Sequence, residues 1–250
     1  MYYPRSIIAS VRRADEDYSL IEDGDRIAVG ISGGKDSLLL LYILNLYKKV
    51  VSKRKHFEVI GIHIKMGFPN MDITKMLEYY EDLGIKIEVM PSNTYDILKA
   101  NKTKDGKLPC SICSKIKKAI VIEGANKFNC NKVAFAHHAD DAIETLLMNS
   151  IFGGKIATFK PKMYLDRTDT TFIRPFVYVR EKDIIHASNK FNLPIVESTC
   201  PNDKHTEREN MKTLLNDLYN KYPSSRSNFL LMLHNLEKLD LWVKEKKKDS

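Results

Sequence analysis

The stretch "DRIAVGISGGKDSLLLLYIL", residues 25–44, constrains the fold more than any other part of this chain. A short apolar run rich in β-branched residues ends in Ser-Gly-Gly-Lys-Asp-Ser, and a leucine-rich helical pattern follows at once. Strand, glycine loop and helix in that order bring backbone N–H groups and a helix N-terminus to one point, an arrangement that holds phosphates. Glycines let the main chain approach the anion with no Cβ in the way. Three further runs, "FEVIGIHIKM" (57–66), "KIEVMP" (86–91) and "KVAFAHH" (132–138), have the same strand character. Helical patterns over "DSLLLLYILNLYKKVV", "MDITKMLEYYEDLG" and "CSKIKKAIVIEGANKF" separate them. Such alternation builds βαβ units, so the expected fold class is α/β, a parallel sheet with helices on both faces. Ligands of these sheets bind beyond the carboxyl ends of the strands.

After about residue 150 the pattern changes. "TFIRPFVYV" (171–179) reads as one more strand and "REKDIIHASNKFN" as a helix. "ERENMKTLLNDLYNKY" and "RSNFLLMLHNLEKLDLWV" read as two longer helices. The first 22 residues are also expected to be helical, with Ile7, Ile8 and Val11 on one face. The expectation is one α/β core over 23–200, flanked by an N-terminal helical segment (1–22) and C-terminal helices (201–250), a size that suits a single domain. No run approaches the roughly 20 apolar residues that span a bilayer. The first residues are too charged, and their apolar stretch too short, for a secretory signal, so a cytoplasmic protein with no membrane contact is expected. Forty Lys+Arg against 32 Asp+Glu give a net charge of +8, which suits a polyanionic partner such as nucleic acid. A Lys-rich background would give the same excess, so charge alone does not choose. The terminal "KEKKKDS" reads as a solvated helix end.

The loop itself excludes one nucleotide chemistry. A Walker loop needs G-x-x-x-x-G-K-[ST], but Val29 stands where its first glycine belongs and Asp36 where its metal-binding hydroxyl belongs. Ser32-Gly33-Gly34-Lys35-Asp36-Ser37 instead resembles the SGGxDS loop of the PP-loop ATP pyrophosphatases, whose fold is of the Rossmann type. That resemblance implies ATP as substrate, with Ser32, Gly33, Gly34, Asp36 and Ser37 on the pyrophosphate or its Mg²⁺ and Lys35 as a point charge. It also implies that the end of the next strand, Ile62-His63-Ile64, cradles adenosine, although His63 reads equally as an ordinary strand-end histidine.

Four cysteines, Cys110, Cys113, Cys130 and Cys200, are too few for a disulfide scaffold in a reducing compartment and point to metal or redox chemistry. "LPCSICSKIKKAI" puts Cys110 and Cys113 at C-x-x-C spacing just before a helical pattern, where two thiolates could share one metal or one cluster beside Lys115, Lys117 and Lys118. On spacing alone the pair fits a redox couple, half a zinc site or part of an iron–sulfur site. Cys200, in "LPIVESTCPND", is expected between a short strand and a helix. Cys130 reads as a small apolar residue at a helix end.

SGGKDS, PCSICSKIKK, "AHHADDAIETLLMN", "FGGK", "IRPFVYVREKDI" and a late cysteine follow one another in the order seen in the TtcA/TtuA family of tRNA thiolases, over roughly residues 5–215. The resemblance implies a [4Fe–4S] cluster on Cys110, Cys113 and Cys200, with the fourth iron open to an exogenous sulfur, and leaves Cys130 out. It implies catalytic roles for Lys117, Asp141 and Asp36. Asp140 and Asp141, expected at the carboxyl edge of the sheet, could bind Mg²⁺, or cap the next helix. Lys115 and Lys118 are expected on a solvated face. Four cysteines leave no room for the zinc ribbons of the TtuA branch, so the chain looks closer to TtcA. The implied activity is adenylation of a tRNA base carbonyl and sulfur transfer, with 2-thiocytidine in the anticodon loop as the first expectation. The implied partners are tRNA, a sulfur donor (a cysteine desulfurase or inorganic sulfide) and a second copy of the chain. Two other readings stand beside it: a zinc-containing PP-loop enzyme with another substrate, and a non-catalytic iron–sulfur RNA-binding protein.

Overall fold

Ile27, Val29 and Ile31 alternate with Ala28 along a strand that is buried on both faces, so helices must cover it from two sides. The computed structural model, which describes residues 4–104, 106–201, 207–235, 237 and 241–242, shows how. Helix α1 (Arg5–Tyr18) precedes strand β1 (Arg26–Ile31), and helix α2 (Lys35–Val51) follows the glycine loop. Then come β2 (Glu58–Lys65), α3 (Thr74–Asp82), β3 (Ile87–Pro91), α4 (Thr94–Ala100), α5 (Cys110–Lys127) and β4 (Lys132–Ala134). The remainder is α6 (Ala139–Gly153), β5 (Lys162–Leu165), β6 (Thr170–Ile173), α7 (Glu181–Lys190), α8 (Glu207–Lys221) and α9 (Ser225–Met232).

The six strands lie in the order β3-β2-β1-β4-β6-β5, parallel except for β5. The chain moves outward from β1 through β2 to β3, then returns to place β4 on the other side of β1. The crevice beyond the ends of β1 and β4 is therefore the switch point of the sheet, where open α/β folds bind ligands.

Two cores sandwich the sheet. On one face Ile27, Val29 and Ile31 pack with the leucines of α2, with Ile7, Ile8 and Val11 of α1, with Met76 and Tyr80 of α3 and with Ile184 of α7. On the other, Ala28, Ile60, Ile62 and Val133 pack with Val121 and Ala125 of α5, and Cys130 is buried among them. Helix α5 can seat there because Gly124 has no Cβ; one would stand 3.0 Å from Ile62 Cδ1. Helix α1 is fixed through buried Asp15, which accepts from Ile21 N at 2.8 Å, Tyr47 Oη at 2.7 Å and Lys55 Nζ at 2.6 Å. Among the described residues no helix is long and apolar enough to cross a membrane.

Several expectations need correction. The sheet is not wholly parallel: β5 and β6 form an antiparallel hairpin across a four-residue turn, since a connection that short joins only antiparallel neighbours. The strand expected over 171–179 stops at Ile173, because Pro175 has no N–H to continue a ladder. The strand expected over 132–138 ends at Ala134. Helix α4 was not anticipated. No strand precedes Cys200; residues 193–200 are irregular, and Val196 N donates to Gly33 O at 3.0 Å. The second C-terminal helix is short, ending at Met232, and "KEKKKDS" lies outside the described residues.

Candidate active site

The glycine loop is shaped by its own serines. Ser37 Oγ donates to Gly34 O at 3.0 Å and accepts from Ser32 N at 3.1 Å, while Ser32 Oγ accepts from Gly34 N at 3.2 Å and meets Ser37 Oγ at 3.0 Å. Gly33 has φ of +91°, and a Cβ there would stand 2.9 Å from Val196 Cβ; both facts require glycine. Gly34 caps α2 with no side chain on the first-turn N–H groups. A 17-residue helix whose first amides lack a side-chain cap offers an anion the positive end of its dipole.

Around the loop sits a charged network. Lys35 Nζ lies 3.2 Å from Asp36 and 3.1 Å from Glu181 at the start of α7. Burial lowers the Lys35 pKa, but those carboxylates outweigh it, and the net shift is upward. Glu181 also accepts from Lys212 of α8 at 2.8 Å. Asp36 Oδ1 is buried without a hydrogen-bond partner. His138 caps α6 in a reciprocal pair with Asp141: Asp141 N donates to its Nδ1 at 3.3 Å, and His138 N donates to Asp141 Oδ2 at 2.9 Å. Its Nε2 lies 3.4 Å from Asp141 Oδ2 and 3.9 Å from Asp36 Oδ1.

Beyond the carboxyl ends of the strands lies a cavity of about 470 Å³. Ser32, His63, Cys110, Cys113, Lys117 and Cys200 all line it. Cys110 and Cys113 sit on the first turn of α5, not ahead of it, which directs that helix's N-terminal N–H groups and dipole toward the thiols. The three sulfurs sense one another: burial raises the Cys113 pKa, Cys200 and Cys110 add to the rise, and the Lys117 ammonium opposes it. Three thiols with a cation beside them are a donor set suited to iron or zinc as thiolates. Among the described residues no three His, Cys, Asp or Glu side chains gather closely enough for one metal ion. Cys130 is 5% exposed in the second core, away from this cavity. His63 Nδ1–H donates to Ile31 O at 3.1 Å, which leaves Nε2 as an acceptor; burial lowers its pKa and keeps it neutral.

The residues singled out from sequence thus divide. Gly33, Gly34, Lys35, Asp36, Ser37, Asp140 and Asp141 are not on the cavity wall. Asp140 and Asp141 do sit at the carboxyl edge of the sheet, yet their oxygens are already engaged. Asp140 accepts from Arg180 Nη2 at 3.0 Å and Glu181 N at 2.8 Å, and Asp141 Oδ1 accepts from Arg208 at 2.7 Å. Asp36 Oδ1 has no hydrogen bond, only the Lys35 ammonium 3.2 Å away, so of the three carboxylates Asp36 is the least engaged for Mg²⁺. Lys118, expected on a solvated face, lines the cavity, whereas Lys115 does not.

Phe135, His137 and Arg174 also line the cavity and were not anticipated. Burial depresses the His137 pKa to about 4 and lowers that of Arg174. Glu181, Arg180 and Arg208 are further site residues that the sequence does not single out; for Arg180 and Glu181 the available signal is the pair of charges at the start of α7.

A family model for the PP-loop domain matches residues 8–218. The tRNA-cytidine(32) 2-sulfurtransferase of Geotalea uraniireducens is 39% identical over 229 residues, which cover 91% of this chain and 90% of that protein. The chain belongs to the TtcA/TtuA family of tRNA thiolases. The protein of the same name from Geobacter sulfurreducens is 36% identical, covering 93% of this chain and 90% of its own length. Among solved structures, the U34-tRNA thiolase NcsA from Methanococcus maripaludis, with its [4Fe-4S] cluster, shares the thiolase fold at a TM-score of 0.70 and 22% identity, over 97% of this chain and 83% of its own. The family's sheet also resembles that of the NH3-dependent NAD synthetase of Campylobacter jejuni, at a TM-score of 0.51 and 16% identity over 98% of this chain and all of that one.

Proposed function

We propose that this chain is an ATP-dependent tRNA sulfurtransferase that converts a cytidine of the anticodon loop, position 32 as in its relatives' names, to 2-thiocytidine. The observation that carries the reading is that Cys110, Cys113 and Cys200 face the same cavity as Ser32, where the phosphate loop leaves β1. The parts that would activate a base and the parts that would handle sulfur share one space.

The cytosine O2 attacks the α-phosphorus of ATP and pyrophosphate leaves; a hydrosulfide then attacks C2, and AMP departs with the original oxygen. Backbone N–H groups of Gly33 and Lys35 at the start of α2 hold the departing pyrophosphate, while Ser32 Oγ occupies that of Gly34, and Lys35 keeps its positive charge beside it. Asp36 would hold Mg²⁺, its Oδ1 exchanging the Lys35 ammonium for the metal. His63 and the end of β2 take the adenosine. Lys117 serves as the cation between thiols and phosphate, and Asp141 orients His138 toward Asp36. Three thiolates would hold a [4Fe–4S] cluster with one iron lacking a protein ligand, which supplies a binding position for the incoming sulfur. The sulfur donor is a cysteine desulfurase or inorganic sulfide, the working unit a homodimer, and the compartment the cytoplasm.

Mass spectrometry of nucleosides from tRNA of cells with and without the protein tests the reading directly. Loss of 2-thiocytidine on deletion is expected, and an unchanged nucleoside profile overturns it. Anaerobic purification with iron and sulfide analysis tests the cofactor: zinc without sulfide favours the zinc-containing alternative. Absence of AMP and pyrophosphate with tRNA and ATP present favours the binding protein.

A further inference from the structure

The cavity has two flanks, separated by β1 at the switch point of the sheet. His63 stands on the β2 side, where adenosine is assigned above. The opposite side, at the ends of β4 and β6, is walled by His137 and Arg174 and has no role in the reading so far.

Both side chains carry a buried polar atom with nothing to bond. Arg174 is 6% exposed, and its Nη1 donates to Lys160 O at 2.6 Å, but its Nε–H has no acceptor. No carboxylate pairs with this guanidinium among the described residues, so a buried cation waits without a counter-charge. The Nδ1 of His137 is equally buried and unpartnered. Aromatic rings hold both groups in place. The Phe159 ring centre lies 5.0 Å from the Arg174 guanidinium carbon and 5.0 Å from the His137 ring, and the Phe135 ring centre lies 6.1 Å from the His137 ring. Buried donors and acceptors are normally paired, so each open one calls for an explanation, and a ligand supplies one for two that belong to residues on the same cavity wall. The two atoms differ in kind: a fixed donor on Arg174, and a nitrogen on an uncharged imidazole that can accept.

We propose that His137 and Arg174 form the subsite for the target base, the two side chains turning their unpartnered nitrogens into the cavity so that Arg174 Nε–H donates to cytosine N3 and His137 Nδ1 accepts from the cytosine N4 amine. This rests on the thiolation reading for its choice of ligand. The pattern fits cytosine and opposes uracil, whose N3–H and O4 invert both partners. It also engages the Watson–Crick edge away from O2, leaving that oxygen for the α-phosphorus. A base read on this edge cannot be paired, so it must be turned out of the anticodon loop. A phosphate would satisfy Arg174 alone and would gain nothing from a neutral imidazole beside aromatic rings. The two residues are therefore specificity-determining, placed to choose the base.

The test uses the full chain and anticodon stem–loop RNAs carrying C or U at position 32. Equilibrium binding without ATP is measured beside thionucleoside formation with ATP and sulfide. Wild type is expected to bind the C form about tenfold or more tightly than the U form. His137→Phe keeps a ring beside Phe135 and Phe159, and Arg174→Lys keeps the charge while removing Nε–H; each should bring the two affinities within about threefold. Melting temperatures near wild type show that each variant folds, and His137→Gln should retain part of the preference where His137→Phe loses it. Wild type with no preference, or folded variants that keep the full preference, overturns the inference. A wild type that prefers the C form yet makes no thionucleoside supports this subsite and overturns the thiolation reading instead.

Discussion

At the scale of single residues, Gly33 is the most constrained position in the molecule. Its φ of +91° is costly for any residue with a Cβ, and the neighbouring Val196 leaves no room for one. Gly33→Ala should cost on the order of 1–3 kcal/mol and weaken ATP binding, read as a lower melting temperature and a higher Kd by calorimetry. The cysteines divide cleanly at this scale. Cys130→Ala removes one small buried group from the second core and should leave iron and sulfide content unchanged after anaerobic reconstitution, whereas Cys200→Ala should lose both. The reverse result would reassign the ligands. These positions were legible because their neighbours in sequence are their neighbours in space: six consecutive residues make the loop, and C-x-x-C is one helical turn. His137 and Arg174 were not legible, because only the pairing of β4 with β6 brings them to one wall. Nothing in either local sequence announces that meeting.

At the scale of elements, ion pairs add to the apolar packing of Ile184 in tying the carboxyl edge of the sheet to the later helices. Arg180 and the Glu181 amide hold Asp140 of α6, and Glu181 in turn joins Lys35 of α2 to Lys212 of α8. The Asp140 pKa is lowered on balance: burial opposes ionisation, and Arg180 with the Glu181 N–H outweighs it. Arg180→Ala leaves that largely buried carboxylate without its cation, so a loss of roughly 1–3 kcal/mol in chemical denaturation is expected. Adding Asp140→Asn should recover part of the loss, since the buried charge goes with it. The parallel strands were readable as apolar β-branched runs between helical patterns. Strand β6 was read too, though carried past its end, whereas β5 was not, because it is four residues long and only partly buried, too short for periodicity to stand out.

For the whole molecule, one buried group makes stability depend on pH. Glu144 of α6 is 2% exposed, and burial raises its pKa to about 7, with Asp141 adding and Arg208 opposing. The unfolded chain loses this proton near 4.5, while the folded chain keeps it to about 7. Between those values the native state binds more protons, so stability falls as pH rises. Glu144→Gln should therefore stabilise the protein by roughly 1–3 kcal/mol above pH 7 and little at pH 4, seen as a gap between melting curves that opens with pH. A second whole-molecule property follows from the hydrogen bond between Val196 and Gly33. That contact joins the phosphate loop to the segment carrying the third thiol four residues later. Any shift of the loop on accepting a nucleotide is handed to Cys200. Linkage then requires reciprocity: whatever factor nucleotide applies to metal retention, metal applies to nucleotide affinity. Titrating ATP into protein before and after iron–sulfur reconstitution should give two dissociation constants, and Val196→Pro, which removes the donating N–H, should draw them together. Through one backbone amide, charging the loop and arming the thiols become two readings of a single equilibrium.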